Sequence, residues 1–215
     1  MATKTIGVEQ RFELLAKLAA HLDWDSIDSR SVQEIIDHPA IPGQQFTLFL
    51  KNGCRFSFGD LKIAPAPFDP VAFISKGWNI VLEEHDKMTG GLVEVDFNQV
   101  DFEDCLEEGE TMITGEVKLT RLKERKRIRY GAVTFMGLLN DYQTREVNSV
   151  LETLFRTKSI VHLDFFGDVL LGPNGNRCVL CLDRVSGGRW IGTYRPLAIH
   201  WYRRFLTPVC SQVSV

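Results

Sequence analysis

Apolar residues recur at two different periods along the chain, and the change between them points to a mixed fold. Across residues 7–22, Phe12, Leu15, Leu18, Ala19 and Leu22 fall at spacings of three and four, the stripe of an amphipathic helix. A second short helix is expected next, with Ser31 and Glu34 at capping-box spacing. His38-Pro39 closes it, because proline disfavours the α conformation in the residue before it. Residues 45–58 read as a β-hairpin: an apolar run from Gln45 to Leu50, a turn at Asn52-Gly53, then alternation through Arg55-Phe56-Ser57-Phe58. Asp69-Pro70 starts another helix, with a capping carboxylate and a proline at the first helical position, and Gly77 stops it. Trp78 to Glu84 and Leu92 to Phe97 read as strands, and Asp101 to Glu107 as a helical turn or two. Thr114 can cap a helix running to about Arg125, and Ala132 to Tyr142 forms a further one. Glu146 to Arg156 carries the fullest stripe: Val147, Val150, Leu151, Leu154 and Phe155.

From Ile160 the period shortens. Ile160 to Leu171, Arg177 to Arg184 and Arg189 to Arg195 are strand-like runs, separated by turn signals at Pro173-Asn174-Gly175 and Ser186-Gly187-Gly188. Three such runs in succession predict an antiparallel meander. The fold class is therefore α+β: N-terminal helices with a β-hairpin, central helices, and a C-terminal three-stranded antiparallel meander packed on the helix at 146–156. At 215 residues, the chain suits one compact unit, and the proline-rich stretch at 64–68 is the one candidate boundary.

Charge adds an asymmetry that the net value of −3 hides. From Glu83 to Glu110, eleven acids stand against Lys87 alone, a net −10. From Glu116 to Tyr130, seven bases stand against Glu116 and Glu124, a net +5. Lys118, Arg121 and Arg125 lie three and four apart and form one helical stripe, which Arg127 and Arg129 extend. Such a stripe can grip phosphates. It can equally satisfy the negative end of its own helix dipole, or be neutralised by the acidic segment five residues upstream. Mutual attraction favours the two segments lying against each other.

The remaining candidate chemistry is sparse. Cys178 and Cys181 have zinc-knuckle spacing, yet they sit in a strand-like run where residues three apart point to opposite faces. They read as core thiols. Asp96, Asp101, Glu103 and Asp104 could hold a metal but lack the ligand spacing of an EF-hand loop, so they read as a solvated acidic face. The five histidines are scattered, and a pairing of Cys105 with one of them has no motif behind it. No nucleophile elbow, Walker A loop, zincin helix or dinucleotide fingerprint is present. No metal and no cofactor is expected. Five cysteines, an odd number without scaffold spacing, and the lack of a signal-peptide pattern suggest a reduced, cytoplasmic protein. No apolar run approaches the ~20 residues that span a bilayer, so no membrane partner is expected.

Several words in the second half recur together in one family. They are Ile113-Thr114-Gly115-Glu116, Lys118-Leu119, Arg121-Leu122-Lys123 and Ile128-Arg129. Leu163-Asp164-Phe165-Phe166-Gly167-Asp168-Val169-Leu170 follows, then Pro173, Gly175, Arg177, Val179-Leu180 and Arg189-Trp190. In this order they resemble a family of uncharacterised proteins from candidate-phylum bacteria of the Parcubacteria type. Weaker likeness reaches back to Phe73-Ile74-Ser75-Lys76-Gly77-Trp78. The family pattern repeats an aromatic two places after the tryptophan, where this chain has Gly192. The resemblance implies no activity and assigns no site residue.

Three classes of function follow. The first is a non-catalytic binding or interaction protein that uses its charge-asymmetric surface on a protein partner. The second is a nucleic-acid-associated protein that uses the Lys118, Arg121, Arg125, Arg127 and Arg129 stripe. The third is an enzyme of unrecognised type, whose mark would be convergent polar groups.

Overall fold

The computed structural model describes residues 7–40, 42–43, 46–47 and 61–210. Contacts divide the chain into two compact units, Met1–Phe56 and Ser57–Val215. The proline-rich stretch belongs to the second unit because it docks on a helix there: the Ala66 N–H donates to Val133 O at 2.9 Å.

The first unit holds helix α1, Val8–Ala20, and helix α2, Ser29–Asp37, joined through a 3-10 turn at Trp24–Ser26. Helix α2 starts ahead of the expected cap. Ser31 lies inside it, and Asp28 takes the capping position by accepting from the Arg30 N–H at 3.3 Å. The helix ends at Asp37, ahead of His38-Pro39. The hairpin expected at 45–58 lies outside the described residues except for 46–47, whose backbone is helical.

The second unit is built around a four-stranded antiparallel sheet in the order β2-β7-β8-β9. Its strands are β2 (Asn79–Ile80), β7 (His162–Leu171), β8 (Arg177–Arg184) and β9 (Trp190–Pro196). The last three form the meander that the change of period predicts. Both faces of β7 are buried, which is why its sequence is a near-continuous apolar run. One core holds Leu163, Phe165, Leu170, Leu180 and Leu182; the other holds Phe166, Val169, Val179 and Trp201. A bulge separates the Phe165↔Leu180 pair from the Leu170↔Cys178 pair, so β7 carries more residues than β8 over this stretch. It turns Gly167 and Asp168 out of the sheet alternation. Cys178 faces the first core with Leu180, while Val179 faces the second, so Cys178 and Cys181 lie on opposite faces.

Helices cover both cores, with Leu119 and Leu122 entering the second and the other helices the first. Helix α3, Pro70–Phe73, is capped by Asp69, whose carboxylate accepts from the Val71 N–H at 2.8 Å. Helix α4, Gly115–Glu124, is capped by the Thr114 hydroxyl, and α6, Val150–Lys158, by the Ser149 hydroxyl. Between them runs α5, Ala132–Arg145. Helix α5 lies across the meander strands, and the helix expected at 146–156 adds Val150, Leu151 and Leu154 to the same first core. The close approach of α5 depends on Gly192 on β9: a Cβ there would stand 2.8 Å from the Phe135 ring of α5. A bare backbone at that position lets α5 approach, and Phe135, Phe73 and Leu139 fill the space. Helix α6 packs on α5 and reaches the end of the sheet through Glu152, which accepts from Trp190 Nε1 at 2.9 Å and Arg184 Nε at 3.1 Å.

Short strands complete the unit. Strand β1 (Lys62–Ile63) pairs with β3 (Val95–Asp96), and β5 (Met112–Thr114) pairs with β10 (His200–Tyr202). Strands β4 (Asp101–Glu103) and β6 (Ile128–Arg129) flank β11 (Thr207–Cys210). Residues 101–103 are thus extended, not the helical turn expected, because Phe102 pairs with Pro208 in a segment a hundred residues away. Residues 78–84 are a strand only at Asn79–Ile80, and Leu82–Glu84 is a 3-10 turn.

Candidate functional site

The basic stripe begins on α4, and the structure separates its members. Lys118 is fully buried and faces away from solvent. Arg121 forms a two-pronged pair with Glu110, at 2.5 and 2.8 Å, and also donates to Cys105 O at 2.9 Å. Arg125 pairs with Glu103 at 3.0 Å. Arg127 pairs with Glu103 at 2.7 Å and Asp101 at 3.5 Å. Arg129, on β6, reaches Asp86 at 3.3 Å. Lys123, also in this segment, pairs with Glu84. Every one of these acids lies in the 83–110 segment, so the two charged stretches do lie against each other. Arg121 and the Glu107 N–H hold the Glu110 carboxyl down at about 2. Burial pushes Glu84 up, but Lys123 and Arg177 outweigh it and hold the group below its ordinary range.

Lys118 belongs to a second constellation that the sequence did not show. Its Nζ donates to Phe205 O at 2.6 Å and sits 5.3 Å from the Phe166 ring centre. Burial lowers its pKa, and the nearby Asp164 opposes that shift. Asp164, on β7, is fully buried. It accepts from Arg195 Nη1 at 2.5 Å and Trp201 Nε1 at 2.9 Å. Arg195 also grips Asp183 at 3.1 Å, and Asp183 takes His162 Nδ1 at 2.7 Å. Burial pushes Asp183 up, but His162 and Arg195 outweigh it and hold its carboxyl low. Two cations, Lys118 and Arg195, therefore face two carboxylates, Asp164 and Asp183. The signal for this network was present but unread: Asp164 and Asp168 interrupt an apolar strand run, where an acid must be paired.

Asp168 anchors a third group. Its Oδ1 lies 2.6 Å from His85 Nδ1, and its Oδ2 accepts from the Ala132 N–H at 2.7 Å. Asp86, beside His85 in the chain, accepts from the Arg129 N–H at 2.9 Å. Neither side chain was singled out from the sequence, since His85 and Asp168 come together only through folding.

The candidate metal ligands do not converge: among the described residues, no group of three or more His, Cys, Asp or Glu side chains is placed to hold a metal ion. Asp96 caps its own turn at Asn98, at 2.9 Å, and Asp101 and Glu103 are engaged by arginines. Cys105 is buried, and burial pushes its thiol up to about 11. No helix among the described residues is long and apolar enough to cross a membrane.

The apolar stripe of the first unit is arranged differently from these polar groups. Helix α1 buries none of its residues, and Phe12 and Leu15 are 70% and 54% exposed. Leu18, Leu22, Trp24, Ile35 and Ile36 are exposed as well. Single apolar side chains at a surface are ordinary, whereas a contiguous helical stripe marks a contact surface.

Comparison with known proteins finds no matching family model, no matching curated protein and no matching solved structure.

Proposed function

We propose that the protein works by binding another protein, and that the first unit supplies the contact through the apolar faces of α1 and α2. The observation that carries this reading is the exposed stripe of Phe12, Leu15, Leu18 and Leu22 on a helix that buries nothing of its own. A helix with such a stripe is suited to a hydrophobic groove, with anchors three and four residues apart. The charge asymmetry expected to serve as the binding surface is spent within the second unit, where the arginines of the stripe already hold acids. The buried thiols Cys105, Cys178 and Cys181 accord with a reduced, cytoplasmic setting.

The test is co-purification from native extract at low and high salt, comparing the wild type with a Phe12→Asp/Leu15→Asp variant. Apolar docking withstands salt, whereas charge-led docking weakens with it. A partner retained by the wild type at both salt levels and lost from the variant is expected. The same partners on both proteins, or partners that salt alone removes, would overturn the reading.

A further inference from the structure

The bulge in β7 places an acid where a regular strand would place an apolar side chain. Asp168 is 3% exposed, and both of its oxygens are taken. Oδ2 accepts from the Ala132 N–H, in the first turn of the fourteen-residue helix α5. Oδ1 meets His85 Nδ1. Room for the carboxylate exists only because the preceding helix cap is a glycine: a Cβ at Gly131 would stand 2.1 Å from Oδ2.

A carboxylate can only accept hydrogen bonds, so the proton of the neutral ring sits on Nδ1. The lone pair then falls on Nε2. The segment carrying His85 is pinned on both sides. The Val81 N–H donates to Val169 O at 2.8 Å, and the Asp86 N–H donates to Gly167 O at 2.8 Å. Asp86 does not compete for the imidazole, because its Oδ2 is held by the N–H and Nε of Arg129, at 2.9 and 3.3 Å. Nε2 has no hydrogen-bond partner among the described residues, and the imidazole is 31% exposed. It faces Gly90, where an added Cβ would lie 3.2 Å from Nε2.

From this geometry we infer that His85 is a proton-transfer centre, positioned by Asp168, whose Nε2 takes the proton of a hydroxyl- or thiol-bearing small ligand approaching over Gly90. The O–H or S–H bond breaks, its electron pair stays on the ligand, and the proton forms an N–H bond at Nε2. The imidazolium so formed lies against the Asp168 carboxylate, which stabilises it. Asp168 is a positioning residue, and Gly90 keeps the approach open. This goes beyond the docking of α1 and α2, which lie in the other unit.

Diethyl pyrocarbonate tests the lone pair directly. Nε2 attacks a carbonyl carbon of the reagent, an N–C bond forms, and the C–O bond to the leaving ethyl carbonate breaks. That fragment takes a proton and falls to carbon dioxide and ethanol. Rates are read residue by residue from peptide masses, and nitrogen-15 NMR of the wild type reads which ring nitrogen carries the proton. His85 is expected to react faster than the exposed His21 and His38, with its proton on Nδ1. In Asp168→Asn the amide can donate to Nδ1, which moves the ring proton to Nε2 and slows the reaction about tenfold or more. Gly90→Ala leaves the dyad intact and slows it through the added Cβ, so the inference stays testable if Asp168→Asn fails to fold. A wild-type proton on Nε2, or equal His85 rates in the wild type and Gly90→Ala, would overturn it.

Discussion

Replacing Asp164 by asparagine removes one of two carboxylates that balance the buried Lys118 and the partly buried Arg195. The side chain is fully buried, and it accepts from Arg195 Nη1 at 2.5 Å and Trp201 Nε1 at 2.9 Å. Lys118, also fully buried, has Phe205 O as its hydrogen-bond acceptor but depends on Asp164 for compensating charge. In the variant, Arg195 keeps Asp183, while the buried Lys118 loses its main compensating charge. Breaking a buried pair from one side costs about 3–5 kcal/mol. Lys118→Met behaves differently. It removes the charge at similar volume and leaves Phe205 O without its donor, a loss of about 1–3 kcal/mol. With both changes made, the uncompensated lysine is gone, and Arg195 and Asp183 balance each other. The double variant should therefore lose about 1–3 kcal/mol less than the sum of the singles. Urea unfolding followed by tryptophan fluorescence measures all three, and Trp201 reports from within the network. A cost for Asp164→Asn below about 1 kcal/mol, or strictly additive costs, would refute the account of a charge-balanced interior.

Three further outcomes are expected. Glu110 should titrate at about 2 rather than near its ordinary 4.5, so the stability it contributes is complete above the ordinary value and is lost as pH falls toward 2. Carbon-13 NMR of the carboxyls checks this, and Arg121→Gln should return the midpoint to the ordinary range; a wild-type midpoint already there refutes the pairing. Cys105 and Cys181, both buried thiols with pKa values raised by burial, should resist Ellman's reagent at about pH 8 until the protein unfolds, and fast native labelling of either contradicts the packing. Titration with DNA and RNA at two salt concentrations should show no tight, salt-sensitive binding, because the arginines of the stripe are already paired. Tight binding that high salt and an Arg121→Ala/Arg125→Ala variant both abolish would restore the phosphate-gripping stripe.

Features written locally in the chain were legible without the structure. Helix caps are local, since a side chain meets a backbone N–H two or three residues away, and Asp69 and Thr114 cap where their sequence context places them. The meander is local too: its strands are long, consecutive and joined by glycine turns, so the short period survives over enough residues to be read. The strands of two to four residues carry no readable period. Asp101–Glu103 becomes β4 only because Thr207–Val209 arrives beside it. The close approach of α5 to the sheet turns on one glycine on β9 meeting Phe135. The charge blocks announced that acids and bases would meet, yet which acid met which base depended on the fold. Lys118 looked like its neighbours in the stripe, but its position on α4 aims it inward, at Phe205 O and Asp164. Likewise the pairing of His85 with Asp168 spans more than eighty residues of chain. Contacts over such distances cost little in loop closure once the core has formed, and nothing in the local sequence records them; that is why the tertiary structure alone decided them.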